Sequence, residues 1–214
     1  MTRFFLFDLD GTLVDSRADI ARAVNLTRAG FGLPQIAVDA VVRRIGHGVE
    51  DLMRGTIPER PVDLMAETLA AYRAHYRAHL LDETVAYPGI PELLENLRAA
   101  GHGLAVVTNK GRAASCAILE GLKLLPFFGA VVGDGDAPAL KPDPAPLRVA
   151  AQQLGRELQP GDWMVGDQET DLLAGAAAGI QTCFCRWGFS GFEAPLPATL
   201  CADVPSDFFA TAVL

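Results

Sequence analysis

Asp8-Leu9-Asp10-Gly11-Thr12 is where the chemistry of this 214-residue chain concentrates. Two carboxylates stand two residues apart at the end of an apolar run, residues 3–9. Strand alternation would point them to opposite faces, but a turn at Gly11 can bring both to one site. A turn accounts for one Asp, not for two. A second acidic segment, Gly166-Asp167-Gln168-Glu169-Thr170-Asp171, also follows an apolar run. Asp171 lies about one helical turn beyond Asp167. As a plain N-cap it would leave Asp167 unexplained. Thr108-Asn109-Lys110 ends a third apolar run, and Lys141-Pro142-Asp143-Pro144 is a fourth segment of interest. Lysine occurs only at 110, 123 and 141, against fifteen arginines. Where arginine is the habitual choice, a lysine suggests a compact point charge, although a solvated surface residue is the default for Lys110 or Lys141. Clustered together, Asp8, Asp10, Asp167 and Asp171 would repel one another. A hard divalent cation resolves that conflict, and oxygen donors suit Mg²⁺, which would also offset the charge of an incoming phosphate.

The elements that must position these residues follow a rhythm. Short apolar runs at 3–9, 103–108, 130–133, 162–166 and 180–185 read as buried strands. Between them lie helix-length segments at 91–100, 112–122, 144–154 and 171–178, three of which stop at glycine. Strand alternating with helix predicts an α/β fold, a doubly wound, mostly parallel Rossmann-like sheet covered on both faces. Residues 16–86 break the rhythm. They contain no convincing strand and read as helices at 17–30, 38–46, 49–55 and 62–81. The expected organisation is a catalytic core of residues 1–15 and 87–214, with a helical cap of residues 16–86 inserted after the first strand. The Pro-rich tail after Phe189 is expected to form coil and short elements.

Composition narrows the partners. The net charge is −8, so nucleic acid and anionic membranes would repel the chain at long range. An anionic substrate must be held by local cations or a metal. Four cysteines lack the spacing of a zinc site and read as reduced thiols. The Phe4–Phe7 run is too short for a signal h-region, and no stretch reaches the roughly 20 apolar residues of a membrane span. A cytoplasmic protein is expected. The sequon at Asn25 carries no weight without secretion. His75 and His79 stand four apart, but no third ligand is evident and a packing or surface role is favoured.

With these four segments in order, the chain resembles the haloacid dehalogenase superfamily over its whole length. The resemblance implies that Asp8 is the nucleophile that becomes an aspartyl-phosphate and that Asp10 is the acid/base. It implies that Asp8, the Asp10 backbone carbonyl and Asp167 ligate Mg²⁺, with Asp171 in support. Thr108, the Asn109 backbone and Lys141 would hold the phosphoryl oxygens, with Lys141 also countering the charge of Asp8 and the Gly11 turn beside the substrate. The cap segment Ile45-Gly46-His47-Gly48-Val49-Glu50-Asp51-Leu52-Met53 is similar to the glycine-rich cap loop of the phosphoglycolate phosphatases, as are Arg186-Trp187-Gly188-Phe189 and Cys201-Ala202-Asp203 downstream. Gly46, His47 and Gly48 would then close over the substrate, and Arg43, Arg44 and Arg54 are candidates for a substrate carboxylate. An ordinary helix–helix turn would also explain the glycines.

The expected function is a Mg²⁺-dependent phosphomonoester hydrolase acting on a small phosphorylated metabolite, 2-phosphoglycolate first among them. A carbon–halogen hydrolase of this superfamily would not carry a second acid at Asp10. A phosphonate-cleaving member would need a cap lysine, and none precedes Lys110. A sugar phosphomutase shares all four segments and stays open, as does a phosphatase for another metabolite. A catalytically silent binding module would be expected to lose a carboxylate, and all are present.

Overall fold

Phe4–Phe7 is apolar at every position, as a strand covered on both faces must be. The structure, a computed structural model, describes residues 2–189 and 198–212. In chain order the elements are β1 Phe4–Phe7, β2 Val14–Asp15, α1 Arg17–Gly30, α2 Val38–Val42, α3 Val49–Thr56, α4 Met65–Ala78, β3 Val85–Ala86, α5 Ile90–Ala99, β4 Gly103–Gly111, α6 Arg112–Gly121, β5 Ala130–Asp134, α7 Ala145–Gln153, β6 Trp163–Gly166, α8 Glu169–Ala178, β7 Gln181–Cys185, β8 Leu200–Ala202 and α9 Pro205–Ala212.

Six strands form one parallel sheet in the order β5-β4-β1-β6-β7-β8. This is the doubly wound α/β fold expected, with β1 at its centre and the chain winding outward from it in both directions. The alternation of β1 divides the core. Phe5 and Phe7 face one cluster with Leu94 and Leu97 of α5, Ile118 of α6 and Phe208 of α9. Phe4 and Leu6 face another with Leu147 and Ala150 of α7 and Ala174 of α8. The Phe208 ring meets Phe5, Phe7 and Trp163 edge-on at 5.8, 6.4 and 5.5 Å. Truncating such a ring costs about 3–5 kcal/mol. The strand order places the ends of β1, β4 and β6 side by side, where a doubly wound sheet binds its ligands.

Residues 16–86 are largely helical, with α1 packed on α2 and α4, and α3 on α4. Three local expectations need correction. The helix expected over 38–46 stops at Val42, because Gly46 (φ 118°) and Gly48 (φ 93°) lie in a backbone region that helices do not use. The helix expected over 62–81 is a short 3-10 turn at Val62–Leu64 followed by α4, which ends at Ala78. A short strand does occur: Val85–Ala86 pairs antiparallel with Val14–Asp15, so chain exit from the core and chain return are zipped together. Beside this ladder the fully buried Asp19 carboxylate accepts hydrogen bonds from the Glu83 and Thr84 amides and the Thr84 hydroxyl at 2.7–3.2 Å. That ties the start of α1 to the re-entering chain.

The tail supplies the short elements expected of it, a sixth strand, β8, and the helix α9. Part of the tail, residues 190–197, lies outside the described residues. Among the described residues no helix is long and apolar enough to cross a membrane, and all four cysteines are free thiols.

Candidate active site at the carboxyl edge of the sheet

Immediately after β1 the chain makes a tight loop, with the Leu9 carbonyl accepting from the Leu13 and Val14 amides. Gly11 makes that loop possible. Its φ is 88°, and a Cβ there would sit 2.3 Å from Asp167 Oδ2. The loop leaves Asp8 and Asp10 both facing one cavity of about 610 Å³, together with Thr108, Asn109, Lys110, Lys141, Thr170 and Asp171. Of the sequence candidates, Asp8, Asp10, Thr108, Asn109, Lys141 and Asp171 converge on this cavity, and Asp167 lies beside Asp8 and Asp171.

Lys141 organises the buried charge. Its ammonium donates to Asp8 Oδ1 at 2.8 Å and to the Val107 carbonyl at 2.6 Å, and lies 2.6 Å from Asp171 Oδ1. The residue is 3 % exposed, so it is not the surface lysine that is the default for its type. Burial alone would push the ammonium toward neutrality, but Asp171 and Asp8 outweigh that and hold its pKa above the ordinary value. Burial pushes the Asp171 carboxyl up to about 6 even though Lys141 opposes the shift, and the charge of Asp8 adds to it. Asp171 also caps α8, its Oδ2 accepting from the Gln168 amide at 3.0 Å. It is therefore both the N-cap partner and a member of the charged cluster.

Asp8, Asp167 and Asp171 each offer a carboxylate oxygen, all within 4.8 Å of one another and all buried. Asp167 accepts from the Phe189 amide at 3.1 Å and sits 3.5 Å from the Thr12 hydroxyl. An all-oxygen set of buried carboxylates fits a hard divalent cation. The Asp10 carboxylate is not part of this group; the expected ligand from Asp10 is its backbone carbonyl. Its oxygens accept from Lys110 Nζ at 2.6 and 2.8 Å and from the Ser16 hydroxyl at 2.5 Å.

Asn109 joins the end of β4 to the Gly46 and Lys141 loops. Its side-chain amide donates to the carbonyls of Lys141 and Gly46, both at 2.9 Å, and accepts from the Lys141 amide at 2.9 Å. The glycine loop thus rests on the core. A Cβ on Gly48 would meet Leu140 Cδ1 at 2.9 Å, and one on Gly46 would meet the Gln168 side chain at 3.0 Å. Gly46 and Gly48 line the cavity; His47 is exposed and does not, because the two glycines turn backbone, not side chain, toward the core. Arg54 needs a larger correction. It forms an exposed i,i+4 pair with Glu50 at 2.6 Å and stays out of the cavity lining. Of the three arginine candidates Arg44 lines it, joined by Arg73 and Arg77. His79 pairs with Asp82 at 2.8 Å, as a surface role requires.

The haloacid dehalogenase-like hydrolase model matches residues 5–185, which include every one of these core groups. The chain belongs to that family. It is 36% identical to the phosphoglycolate phosphatase of Aquifex aeolicus over 195 residues, covering 91% of this chain and 90% of that one. It is 34% identical to the phosphoglycolate phosphatase of Nitrosospira multiformis, covering 98% and 94%. Among solved structures, a predicted phosphoglycolate phosphatase from Haemophilus somnus 129pt superposes with a TM-score of 0.91 at 28% identity, covering 98% and 97%. Within the haloacid dehalogenase-like hydrolases this chain is phosphoglycolate phosphatase-like.

Two groups that touch Asp10, Lys110 and Ser16, lie outside the expected site. Lys110 was visible as one of only three lysines and adjacent to Thr108-Asn109. Its side chain is 10 % exposed and also lies 4.6 Å over the Tyr76 ring from α4. Ser16, on Asp10, had no signal beyond its place at the start of α1.

Proposed function

We propose that this chain is a Mg²⁺-dependent phosphomonoesterase that moves the phosphoryl group of a small phosphorylated metabolite through Asp8, and that 2-phosphoglycolate is a substrate. The observation that carries the reading is the Asp8 carboxylate, held by Lys141 at 2.8 Å and facing the same cavity as a second carboxylate two residues on. Asp8 attacks phosphorus, forming a phosphorus–oxygen bond as the bond to the alcohol breaks. Asp10 gives the leaving oxygen a proton and then takes one from the water that hydrolyses the acyl phosphate. Lys110 and Ser16 hold Asp10 for that exchange, while Lys141 and the end of β4 at Thr108–Asn109 face the phosphoryl oxygens. Asp8 and Asp167, with Asp171 behind them, would hold Mg²⁺, whose positive charge would offset that of the phosphate. The names of the relatives support the substrate. A net charge of −8 argues against nucleic acid, and free cysteines support a cytoplasmic location.

Phosphate release from 2-phosphoglycolate and p-nitrophenyl phosphate tests the reading. Asp8→Asn is expected to lower turnover at least ~10³-fold with the circular dichroism spectrum retained, since an amide does not attack phosphorus. EDTA should abolish wild-type activity and Mg²⁺ restore it. Full activity in EDTA, or near-normal turnover by D8N, would overturn the mechanism.

A further inference from the structure

Lys110 is fixed at both ends. Its backbone amide donates to the Thr108 hydroxyl at 3.2 Å, and its ammonium donates to both oxygens of Asp10 at 2.6 and 2.8 Å. An ammonium carries three donors and no acceptor. Among the described residues the side chain of Lys110 meets no acceptor besides Asp10; beside it stands the face of the Tyr76 ring, 4.6 Å from Nζ to the ring centre.

Tyr76 comes from outside the sheet. It sits in the last turn of α4, a helix packed on α1 and α3, and lines the Asp8 cavity at 5 % exposure. Tyr72, one turn earlier, is equally buried and stacks on it with ring centres 5.6 Å apart and planes 14° from parallel. Burial pushes both phenols above their ordinary pKa, so both rings stay neutral and Lys110 meets a π face rather than a phenolate. The Tyr76 hydroxyl has no hydrogen-bond partner among the described residues, so the residue grips its surroundings through the ring. A cation over an aromatic face is attracted by the ring quadrupole, most strongly where water is scarce. Without the ring, an ammonium on a flexible four-carbon stem can swing into a cavity of about 610 Å³ and leave one Asp10 oxygen behind.

We propose that Tyr76 is a positioning residue for phosphoryl transfer: its ring, backed by Tyr72, holds Lys110 on Asp10, so that α4 sets the geometry of an acid at the end of β1. The inference rests on the phosphomonoesterase reading. In the step concerned Asp8 bonds to phosphorus, the phosphorus–oxygen bond of the ester breaks, and Asp10 passes its proton to the departing oxygen. That proton is essential to an alkoxide and matters little to nitrophenolate, which is a stable anion.

The test compares benzyl phosphate, which releases an alkoxide, with p-nitrophenyl phosphate, both with Mg²⁺ present. Tyr76→Leu should lower kcat/KM about tenfold or more for benzyl phosphate and less than about threefold for p-nitrophenyl phosphate. The ratio of the two values does not depend on the fraction of folded enzyme, so a loss of packing alone leaves it unchanged. Tyr76→Phe keeps the ring and should keep the wild-type ratio. In a Lys110→Met background Tyr76→Leu should change the ratio no further, because the group it acts through is gone. A second readout needs no turnover. The chain has three lysines, so isotope labelling of lysine at Cε gives three side-chain NMR signals. The Lys110 signal, assigned by its loss in Lys110→Met, should be shifted upfield by the ring in the wild type and in Tyr76→Phe, and should return to the ordinary lysine position in Tyr76→Leu. Equal losses for the two esters in Tyr76→Leu, the same loss in Tyr76→Phe, or an unshifted Lys110 signal in the wild type would overturn the proposal. If the wild type hydrolyses neither these esters nor 2-phosphoglycolate, the phosphomonoesterase reading falls. In that case, and wherever only one of the two aromatic esters turns over, the Lys110 signal decides by itself whether Tyr76 holds the ammonium.

Discussion

On the sheet side of the cavity the cations are paired with carboxylates. Lys141 sits between Asp8 and Asp171, and Lys110 is on both oxygens of Asp10. On the cap side Arg44, Arg73 and Arg77 line the same space with none. The two walls differ because they meet different demands. Carboxylates almost wholly buried at the end of a parallel sheet must be neutralised inside the protein, since little of their surface is hydrated. Exposed arginines, two on α4 and one in the turn before α3, are solvated and can wait for a partner. A satisfied, rigid wall suits chemistry that is the same for every substrate. An unsatisfied wall suits recognition of the part that varies between substrates.

Substitutions that disturb one wall should be separable from those that disturb the other. The largest effect is expected from Lys141→Met. It leaves buried Asp8 and Asp171 facing each other without their shared cation, so urea unfolding should show a loss of about 3–5 kcal/mol, with turnover lost as well. Lys110→Met comes next. Asp10 then keeps only the Ser16 hydroxyl, and kcat for phosphate release should fall ~10–100-fold with a smaller change in KM, partly restored by Lys110→Arg. A rise in KM alone would place Lys110 with the binding wall instead. Gly48→Ala acts on the seam between the walls. A side chain at φ 93°, aimed at Leu140, is expected to lift the glycine loop, at a stability cost of about 1 kcal/mol and with a rise in KM that exceeds the fall in kcat. The smallest effect belongs to Arg54→Ala, which removes an exposed pair outside the cavity. Stability should change by less than about 0.5 kcal/mol and kcat/KM by less than about twofold. A large loss of kcat/KM there would move the recognition wall from α4 to α3.

What could be read without coordinates follows from how local each signal is. The Asp8–Thr12 segment announces itself because two acids and a glycine end an apolar strand, and a parallel sheet that buries Phe4–Phe7 places them at its carboxyl edge. Lys141 was legible only through the rarity of lysine and through resemblance. The cap was legible as helices but not as a surface. Arg54 and Arg44 look equivalent in sequence, and nothing local shows that Glu50 holds one at the surface while Gly55 lets the other lie flat. His47 was misread for a related reason: between two positive-φ glycines it is the backbone that turns inward.

Sequence alone determined the alternation of strand and helix, the helical insertion and the identity of the acids at the strand ends, because period, glycine stops and turn chemistry act over a few residues. Tertiary structure alone decided the pairing. Lys110 on Asp10, Lys141 between Asp8 and Asp171, and Asn109 bridging Gly46 to Lys141 join residues from 32 to 133 positions apart for the hydrogen bonds among them. Such contacts exist only once parallel strands bring β1, β4 and β6 side by side, and no local pattern encodes which distant charge will meet which.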